Sequence, residues 1–480
     1  MMTDECDLVV IGGGIAGMTA ALRAAELGLR ARVLEQGSDE RYPCNTRYSG
    51  GVLHAAQHDV KRPPAELVDI ICSATRGHVD RAMAQTVATD GRRLLEWLQQ
   101  QGVRFMRFSA QEAHRWCMAP PRPIAPGLDW KGRGPDVMLR TLGDRLRALG
   151  GALELGAHAE ALLMDGTRCV GVRGTRQGTP CEWQAHAVVI ADGGFQARLE
   201  LLRHYVSPHP ERLLQRGAAT GRGDGIAMAL GVGAAVDGMD KFYGHLQSRD
   251  ALTDARVWPY PELDGVAASA IVVGPGGERL VDEGLGGIAI ANALARLEDP
   301  NCATLICDSA IWDGPGKSAR LPANPYLEKF GGTLHRAGML RELALRSGIA
   351  PDALIATVEA YNEAVKSGAC AKLSPPRSTD RIKAWPIIAP PFIAIPMCVG
   401  ITYTMGGIVV DGDGRVQRPD GTSIAGLYAA GATTTGLEGG GEQGHVGYVG
   451  GLIKAVFGLR AAEHVAHTLR RTQATHATAT

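Results

Sequence analysis

Aromatic residues make up only 5% of this chain, and none of its 10 cysteines falls in a Cys-x-x-Cys pair. The first shortage argues against a broad aromatic binding surface. The second removes support for zinc ribbons, ferredoxin-type clusters and thioredoxin-like redox pairs. Irregular cysteine spacing in so long a chain also speaks against a disulfide framework, so the thiols read as reduced cysteines of a cytoplasmic protein. No metal site is expected. There is no net charge either: 50 Lys+Arg balance 50 Asp+Glu. No strong field would therefore draw the chain to nucleic acid or to an anionic membrane. No basic segment or small-residue cleavage site precedes the first strand at Cys6, so no signal peptide is expected. The longest apolar stretch, Leu8 to Leu22, is broken by glycine and shorter than the ~18 residues of a membrane-spanning helix. Internal repeats are absent. The tail after Arg471 lacks a core pattern and is expected to be disordered.

What is abundant is glycine. The 63 glycines among 480 residues are roughly twice the usual share of about 7%, which suits a backbone that must approach a large ligand closely. The length calls for two domains. Residues 5 to 36 read as strand, glycine turn, helix (Met18 to Gly28) and second strand (Ala31 to Leu34). Residues 65 to 101 carry helical patterns with charged faces. Asp136 to Leu149 reads as an amphipathic helix, Leu153 to Val172 as paired strands, and Ala187 to Ala191 as a buried strand by its continuous apolar run. Composition changes near residue 236. Beyond it lie a hairpin pattern from Ala270 to Val281 and helices near 337–347 and 351–367. Strand and glycine signals return after residue 400, and a last helix covers Gly451 to Thr468. The expected architecture is α/β with an α+β cap. A discontinuous Rossmann-type domain (residues 1–235 and 393–470) holds the cofactor, an inserted capping domain spans 236–392, and the tail runs from 471 to 480.

Gly12-x-Gly14-x-x-Gly17 is a weak motif in a glycine-rich chain, and Gly439-x-Gly441-x-x-Gly444 shows how cheaply the pattern arises. Only the first match has its full context: a strand before it, a helix after it, and Glu35 at the end of the next strand. The glycines permit a tight turn and close approach of a pyrophosphate to the helix N-terminus. Glu35, about 20 residues on, can accept hydrogen bonds from both ribose hydroxyls and disfavours a 2′-phosphate. Such units bind NAD or FAD. The segment Gly426 to Gly431 looks like the second FAD contact of large flavoproteins, and Asp192-Gly193-Gly194 resembles their mid-chain turn.

Seven motifs then stand in order: Gly12 to Gly17, Asn45 to Gly51, Asp192 to Phe195, Gly223-Asp224-Gly225, Gly277 to Glu283, Thr404 to Gly407, and Gly426 to Gly431. In this order the sequence resembles the fumarate reductase/succinate dehydrogenase flavoprotein superfamily over about residues 5 to 466. The resemblance implies non-covalent FAD under a cap, with substrate between them. It places the cofactor against Gly12, Gly14, Ile15, Ala16, Gly17, Glu35, Gln36, Asn45, Thr46, Arg47, Ser49, Gly50, Gly51, His158, Ala191, Asp192, Gly193, Asp224, Ala430, Gly431, Gly450 and Leu452.

The departures bear on substrate. The family's proton-donating arginine aligns with Gly287, its paired histidines before TMGG with Thr402-Tyr403, and its substrate-binding arginine with His445; a cap-edge histidine is kept as His245. Two arginines suited to a C4 dicarboxylate are thus missing. The chain is similar to tricarballylate dehydrogenase-like proteins at Asp282-Glu283-Gly284, Gly400-Ile401-Thr402 and Ala455 to Gly458, and to 3-ketosteroid dehydrogenases at Ala429 to Leu437. The activity expected is desaturation of a CH–CH bond beside a carboxyl or carbonyl group of a small organic molecule. Hydride goes to flavin N5 and the proton to a protein base. Tyr403, His245 and His445 are the candidates for that base, with Tyr448 as a neighbour. Arg47 either lines the flavin loop or positions a substrate carboxylate, Arg279 pairs with Asp282 or Glu283, and His54 is not expected to bond covalently to flavin. The alternatives are a reductase running the same step backwards and a non-catalytic flavin-binding subunit. Electrons leave to quinone, oxygen or a separate electron-transfer protein.

Overall fold

The computed structural model of the chain describes residues 2–318, 322–440 and 444–479. Two sheets organise it. The first is built on parallel strands in the order Ser423–Ala429, Thr179–Ile190, Met2–Ile11, Ala31–Glu35 and Ala152–Leu155, with Arg415–Gln417 antiparallel at one edge. Their cores read as continuous apolar runs because both faces are covered. Leu8, Val9 and Val10 are fully buried, as are Val188, Val189 and Ile190. The paired-strand pattern after residue 152 resolves into three strands. Ala152–Leu155 joins the parallel sheet, and Ala157–Asp165 and Arg168–Arg176 form an antiparallel ribbon on Thr179–Ile190.

All the parallel strands run the same way, so their carboxyl ends lie along one edge. Gly12, Gln36, Ala191 and Ala430 follow directly on Ile11, Glu35, Ile190 and Ala429. Helix Ile15–Glu26 starts from the first of these turns. Gly17 is small for a steric reason: a Cβ there would come within 2.0 Å of the Gly12 carbonyl oxygen. Gly12 has φ of 101° and sits against the Ala191 carbonyl. The strand-end crevice is therefore closed tightly at its floor, which is where an open parallel sheet takes its ligands.

The second sheet is antiparallel and runs Phe242–Ser248, Phe392–Thr404, Thr304–Asp308, Ile271–Val273. His335–Ala337 also pairs antiparallel with the long strand Phe392–Thr404, and Leu214–Gln215 pairs with it in parallel. The hairpin expected at Ala270 to Val281 is only partly formed. Its turn closes through Gly274 and Glu278, and a single bridge joins Val273 to Arg279, but Ile271–Val273 takes Thr304–Asp308 as its ladder partner. Arg279 is instead bound by the buried Glu283 carboxylate, which holds the segment away from a second ladder. Helices stand at Pro64–Ala74, Arg81–Gln100, Gly134–Ala148, Leu340–Ser347 and Pro351–Ser367. The last helix, Val456–Ala479, continues over most of the tail expected to be disordered. Gly441 of the second glycine motif lies outside the described residues.

Candidate active site

A cavity of about 440 Å³ runs from the strand-end crevice to the antiparallel sheet. At the crevice end the helix N-terminus supplies the wall. The first-turn amides of a helix lack intrahelical partners; Ile15 finds one in Thr46 Oγ1 at 3.0 Å. Glu35 lies at the wall with its carboxylate fixed by two backbone amides, Gly13 N at 2.9 Å and Gly37 N at 2.8 Å. Each of its oxygens keeps a lone pair for a ribose hydroxyl. Burial raises its proton affinity, and the two amides work against that. Gly193 has open space where a Cβ would stand. Asp192 is buried, takes the Gly225 amide at 2.7 Å through Oδ2, and leaves Oδ1 without a hydrogen-bond partner among the described residues. Burial pushes its carboxyl up to about 7. A helix start, a fixed carboxylate and an orphaned buried oxygen fit a dinucleotide cofactor bearing hydroxyls.

Of the residues expected to hold the cofactor, all line this cavity except Gly17, Arg47, Ala430 and Gly450. Gly17 shapes the turn. Arg47 does not line the cavity. It is buried with Asp136, whose Oδ1 lies 3.0 Å from its Nε, and its two other nitrogens donate to the Tyr42 and Glu40 carbonyls. The flavin-loop arginine is thus a structural clamp, because each of its three side-chain nitrogens already donates inside the protein. The Gly450 amide donates to Glu438 at 2.7 Å. Asn45 lines the cavity, but its side-chain amide donates to Thr402 O of the second sheet and accepts the Ala218 amide.

The second sheet supplies the other end. Tyr243 and Tyr403 are register partners across the antiparallel pair. Side chains two apart share a face, so His245 stands beside Tyr243, at 4.8 Å between ring centroids. Tyr448 stacks on Tyr243 at 4.3 Å and 14°. Half of the chain's 10 tyrosines, Tyr48, Tyr243, Tyr260, Tyr403 and Tyr448, thus line one cavity. Scarcity of aromatics overall did not exclude their concentration in one place. Burial raises the Tyr243, Tyr403 and Tyr448 hydroxyls well above the ordinary phenol range, and neighbouring Glu438 or Glu262 carboxylates add to it. These phenols are neutral donors at neutral pH.

His245 is oriented: its Nδ1 is 2.7 Å from Asp264 Oδ2, and Asp264 Oδ1 accepts the Leu246 amide at 2.8 Å. With the Nδ1 proton hydrogen-bonded to Asp264, Nε2 faces the cavity 3.5 Å from Glu262 Oε1. Asp264 also explains Gly287. A Cβ at Gly287 would fall 2.2 Å from Asp264 Cγ, so no arginine can replace it while Asp264 holds His245. Cations are nevertheless present. Arg216 follows the short strand Leu214–Gln215, lines the cavity, and contacts Thr402 Oγ1 at 3.0 Å and Glu262 Oε1 at 2.8 Å. Arg122 lines it from the loop after residue 118.

His445 is not part of this cluster. It lies off the cavity wall, its Nε2 2.9 Å from the Ala74 carbonyl at the end of helix Pro64–Ala74. Tyr448 takes the inward position three residues later. His54 lines the cavity, accepts the Gln57 amide through Nδ1 at 3.2 Å, and is held neutral by burial, with its pKa lowered to about 4. Among the described residues no cluster of three or more His, Cys, Asp or Glu could hold a metal, and no helix is long and apolar enough to cross a membrane.

Tyr243, Arg216, Glu262, Asp264 and Glu438 were not singled out from the sequence. Only Tyr243 had a local signal, the two-residue alternation with His245.

Comparison with known proteins gives a consistent picture. The family described as "FAD binding domain" matches residues 7–445. A protein named NADH:fumarate oxidoreductase from Klebsiella pneumoniae (strain 342) is 26% identical over 91% of this chain, which spans only 45% of that relative. The 4-oxocyclohexanecarboxylate 2-dehydrogenase of Sinomonas cyclohexanicum is 25% identical over 89% of this chain and 87% of its own length. In fold, the chain is similar to the 3-ketosteroid-Δ4-(5α)-dehydrogenase of Rhodococcus jostii RHA1, with a TM-score of 0.71, 22% identity, and coverage of 96% and 97% of the two chains.

Proposed function

The chain belongs to the FAD binding domain family, and on that premise we propose that it is an FAD-dependent oxidoreductase that desaturates a CH–CH bond beside a carbonyl or carboxyl group of a small organic substrate. The observation that carries this reading is the convergence of three phenols and an oriented imidazole on the cavity that also holds the dinucleotide motif. Residues 1–235 and 393–470 form the cofactor domain in this reading, and 236–392 the cap. FAD, bound non-covalently, supplies a two-electron acceptor when present.

The chain's own residues bind the substrate, polarise its carbonyl and move the proton. Neutral phenols donate hydrogen bonds to a carbonyl oxygen and so acidify the neighbouring C–H. Tyr448 and Tyr243 hold that role, and His245 Nε2 and the Tyr403 oxygen are the groups within the cavity that can accept the proton. Arg216 is already bridged to Glu262, so this end carries little free positive charge for a dicarboxylate. A neutral ketone or a monocarboxylate suits it better. The relatives' printed activities, on fumarate and on 4-oxocyclohexanecarboxylate, both fall within two-electron chemistry at an activated carbon–carbon bond. The same groups serve the reverse reduction. The electron acceptor is a separate molecule.

The test is anaerobic titration of the holoenzyme's flavin spectrum with 5α-androstane-3,17-dione, 4-oxocyclohexanecarboxylate, tricarballylate and succinate, and of pre-reduced enzyme with fumarate. Bleaching by a saturated ketone or acid is expected. Reoxidation by fumarate with no bleaching by any saturated compound would overturn the dehydrogenase reading, and a protein that cannot be loaded with FAD would overturn the whole of it.

A further inference from the structure

Behind Tyr403 stands a buried ion pair that the proposed chemistry has not yet used. Glu438 and Lys454 have side chains 0% and 1% exposed, with Lys454 Nζ 3.0 Å from Glu438 Oε2. Glu438 Oε1 accepts the Val449 and Gly450 amides at 2.9 and 2.7 Å, and Oε2 accepts the Tyr403 hydroxyl at 2.8 Å. A carboxamide could accept those two amides equally well. The charges are therefore surplus to loop fixation, and a buried ion pair is a poor source of net stability. Among the described residues, Tyr403 is the cavity-lining side chain that is hydrogen-bonded to the pair, while His54 and Tyr448 also line the cavity and feel the Glu438 charge.

We propose that Glu438, held ionised by Lys454, is the positioning residue and proton acceptor for Tyr403. This rests on the dehydrogenase reading above. The geometry assigns the direction of the hydroxyl. Because Tyr403 donates to Glu438, its O–H points out of the cavity and its oxygen lone pairs are left for the substrate. Gly451 keeps that oxygen accessible: a Cβ there would lie 3.5 Å from the hydroxyl oxygen and cover it. The step balances. As the substrate C–H breaks, its proton bonds to the Tyr403 oxygen and the O–H proton of Tyr403 passes to Glu438 Oε2. The substrate is oxidised, with the second hydrogen and its electron pair taken up by FAD. Tyr403 stays neutral throughout. This removes the objection that a buried phenol beside a carboxylate is a poor base, since the charge ends on Glu438. In the reverse direction Glu438 returns the proton through the same oxygen.

The groups facing Glu438 are Lys454, Tyr403, Tyr448 and His54. Lys454 and the two amides outweigh burial and hold the Glu438 carboxyl below its ordinary range. Removing the ammonium should therefore raise it.

The test uses the FAD-loaded holoenzyme and has two arms. In the first, which needs no substrate, the carboxyl stretch is followed by infrared difference spectroscopy against pH. The parent should show no protonated Glu438 at pH 7, and K454M should show one, lost again in E438Q/K454M. In the second, the rate of flavin bleaching by whichever compound of the panel above reduces the parent is followed against pH. Y403F and E438Q/K454M should slow it about 100-fold or more, and K454M should move the acid limb upward by about a unit. The double variant keeps the core neutral, so its FAD content reports whether the site still folds. A carboxyl band unchanged in K454M would overturn the proposal, as would E438Q/K454M with full FAD content bleaching within about threefold of the parent. A parent that no compound bleaches would sink the dehydrogenase reading alone, leaving the infrared arm to decide the pairing.

Discussion

Arg47 offers a direct test of whether the flavin loop is clamped or catalytic. Its guanidinium makes three charge-assisted hydrogen bonds, to Asp136 at 3.0 Å and to the Tyr42 and Glu40 carbonyls at 2.6 Å each, and lies 4.1 Å over the Tyr42 ring. Substituting Met removes all of them and leaves Asp136 fully buried with the Gly132 amide at 2.8 Å and the more distant Arg41 and Arg140. Breaking a buried pair from one side costs about 3–5 kcal/mol, most of it from the stranded charge. At roughly 2 cal/mol/K of unfolding entropy per residue, a chain of this length loses ~1 °C of melting temperature per kcal/mol if it melts as one unit. R47M should therefore melt ~3–5 °C below the parent in a thermal scan at fixed rate. R47M/D136L should recover part of that, since removing both partners strands nothing. An R47M protein that melts within about 1 °C of the parent but reduces more weakly with a carboxylate substrate would refute the reasoning and return Arg47 to the ligand.

Further outcomes follow from particular contacts. Gly17→Ala should lower bound flavin at least about tenfold in the visible spectrum of purified protein, because a Cβ at 2.0 Å from Gly12 O must open the turn; full flavin content would show the turn to be adaptable. His245→Ala should slow flavin bleaching about 100-fold, and His445→Ala less than about threefold, because His245 faces the cavity and His445 does not; equal losses would put His445 back in the site. His54 has a pKa of about 4 in the folded protein and about 6.5 unfolded. Below pH 6.5 the unfolded chain binds a proton that the folded one refuses, so this contribution is complete above pH 6.5 and is lost as pH falls towards 4. It amounts to at most about 3 kcal/mol. The melting temperature of His54→Gln should thus fall less than the parent's between pH 6.5 and 4.5, and parallel curves would exclude His54 as the cause. Asp192 acts in the opposite sense over pH 4 to 7, but identically in both proteins, so the difference isolates His54.

Much of the cofactor half was legible because its signals are local. The turn Gly12 to Gly17, the apolar strands around it and Glu35 sit within one βαβ unit, where spacing along the chain translates directly into spacing in the fold. The strand ends at Asp192 and Gly431 could be joined to it because parallel strands in one sheet finish on one side. Gly450 and Arg47 lie off the cavity for a non-local reason: their backbone and side-chain donors are taken by Glu438 and Asp136, partners remote in sequence.

The substrate half shows the opposite balance. Tyr403 and His245 were found through resemblance to family positions, not through any periodicity of their own. Their meaning depends on Asp264, Arg216, Glu262 and Glu438, which come from the start of a short helix, the residue after a two-residue strand, a proline-rich loop and a glycine-rich loop, without a repeating pattern. The sequence by itself determined the dinucleotide unit, the fold class and the absence of an arginine at position 287. Only the tertiary structure decided that Gly287 is kept small by Asp264, that five tyrosines gather in one cavity, that His445 turns away, and that a buried ion pair backs Tyr403. The physical reason is that main-chain turns and helix starts are set by neighbours a few residues apart. A proton path is set by side chains meeting within about 3 Å across segments that share nothing in sequence.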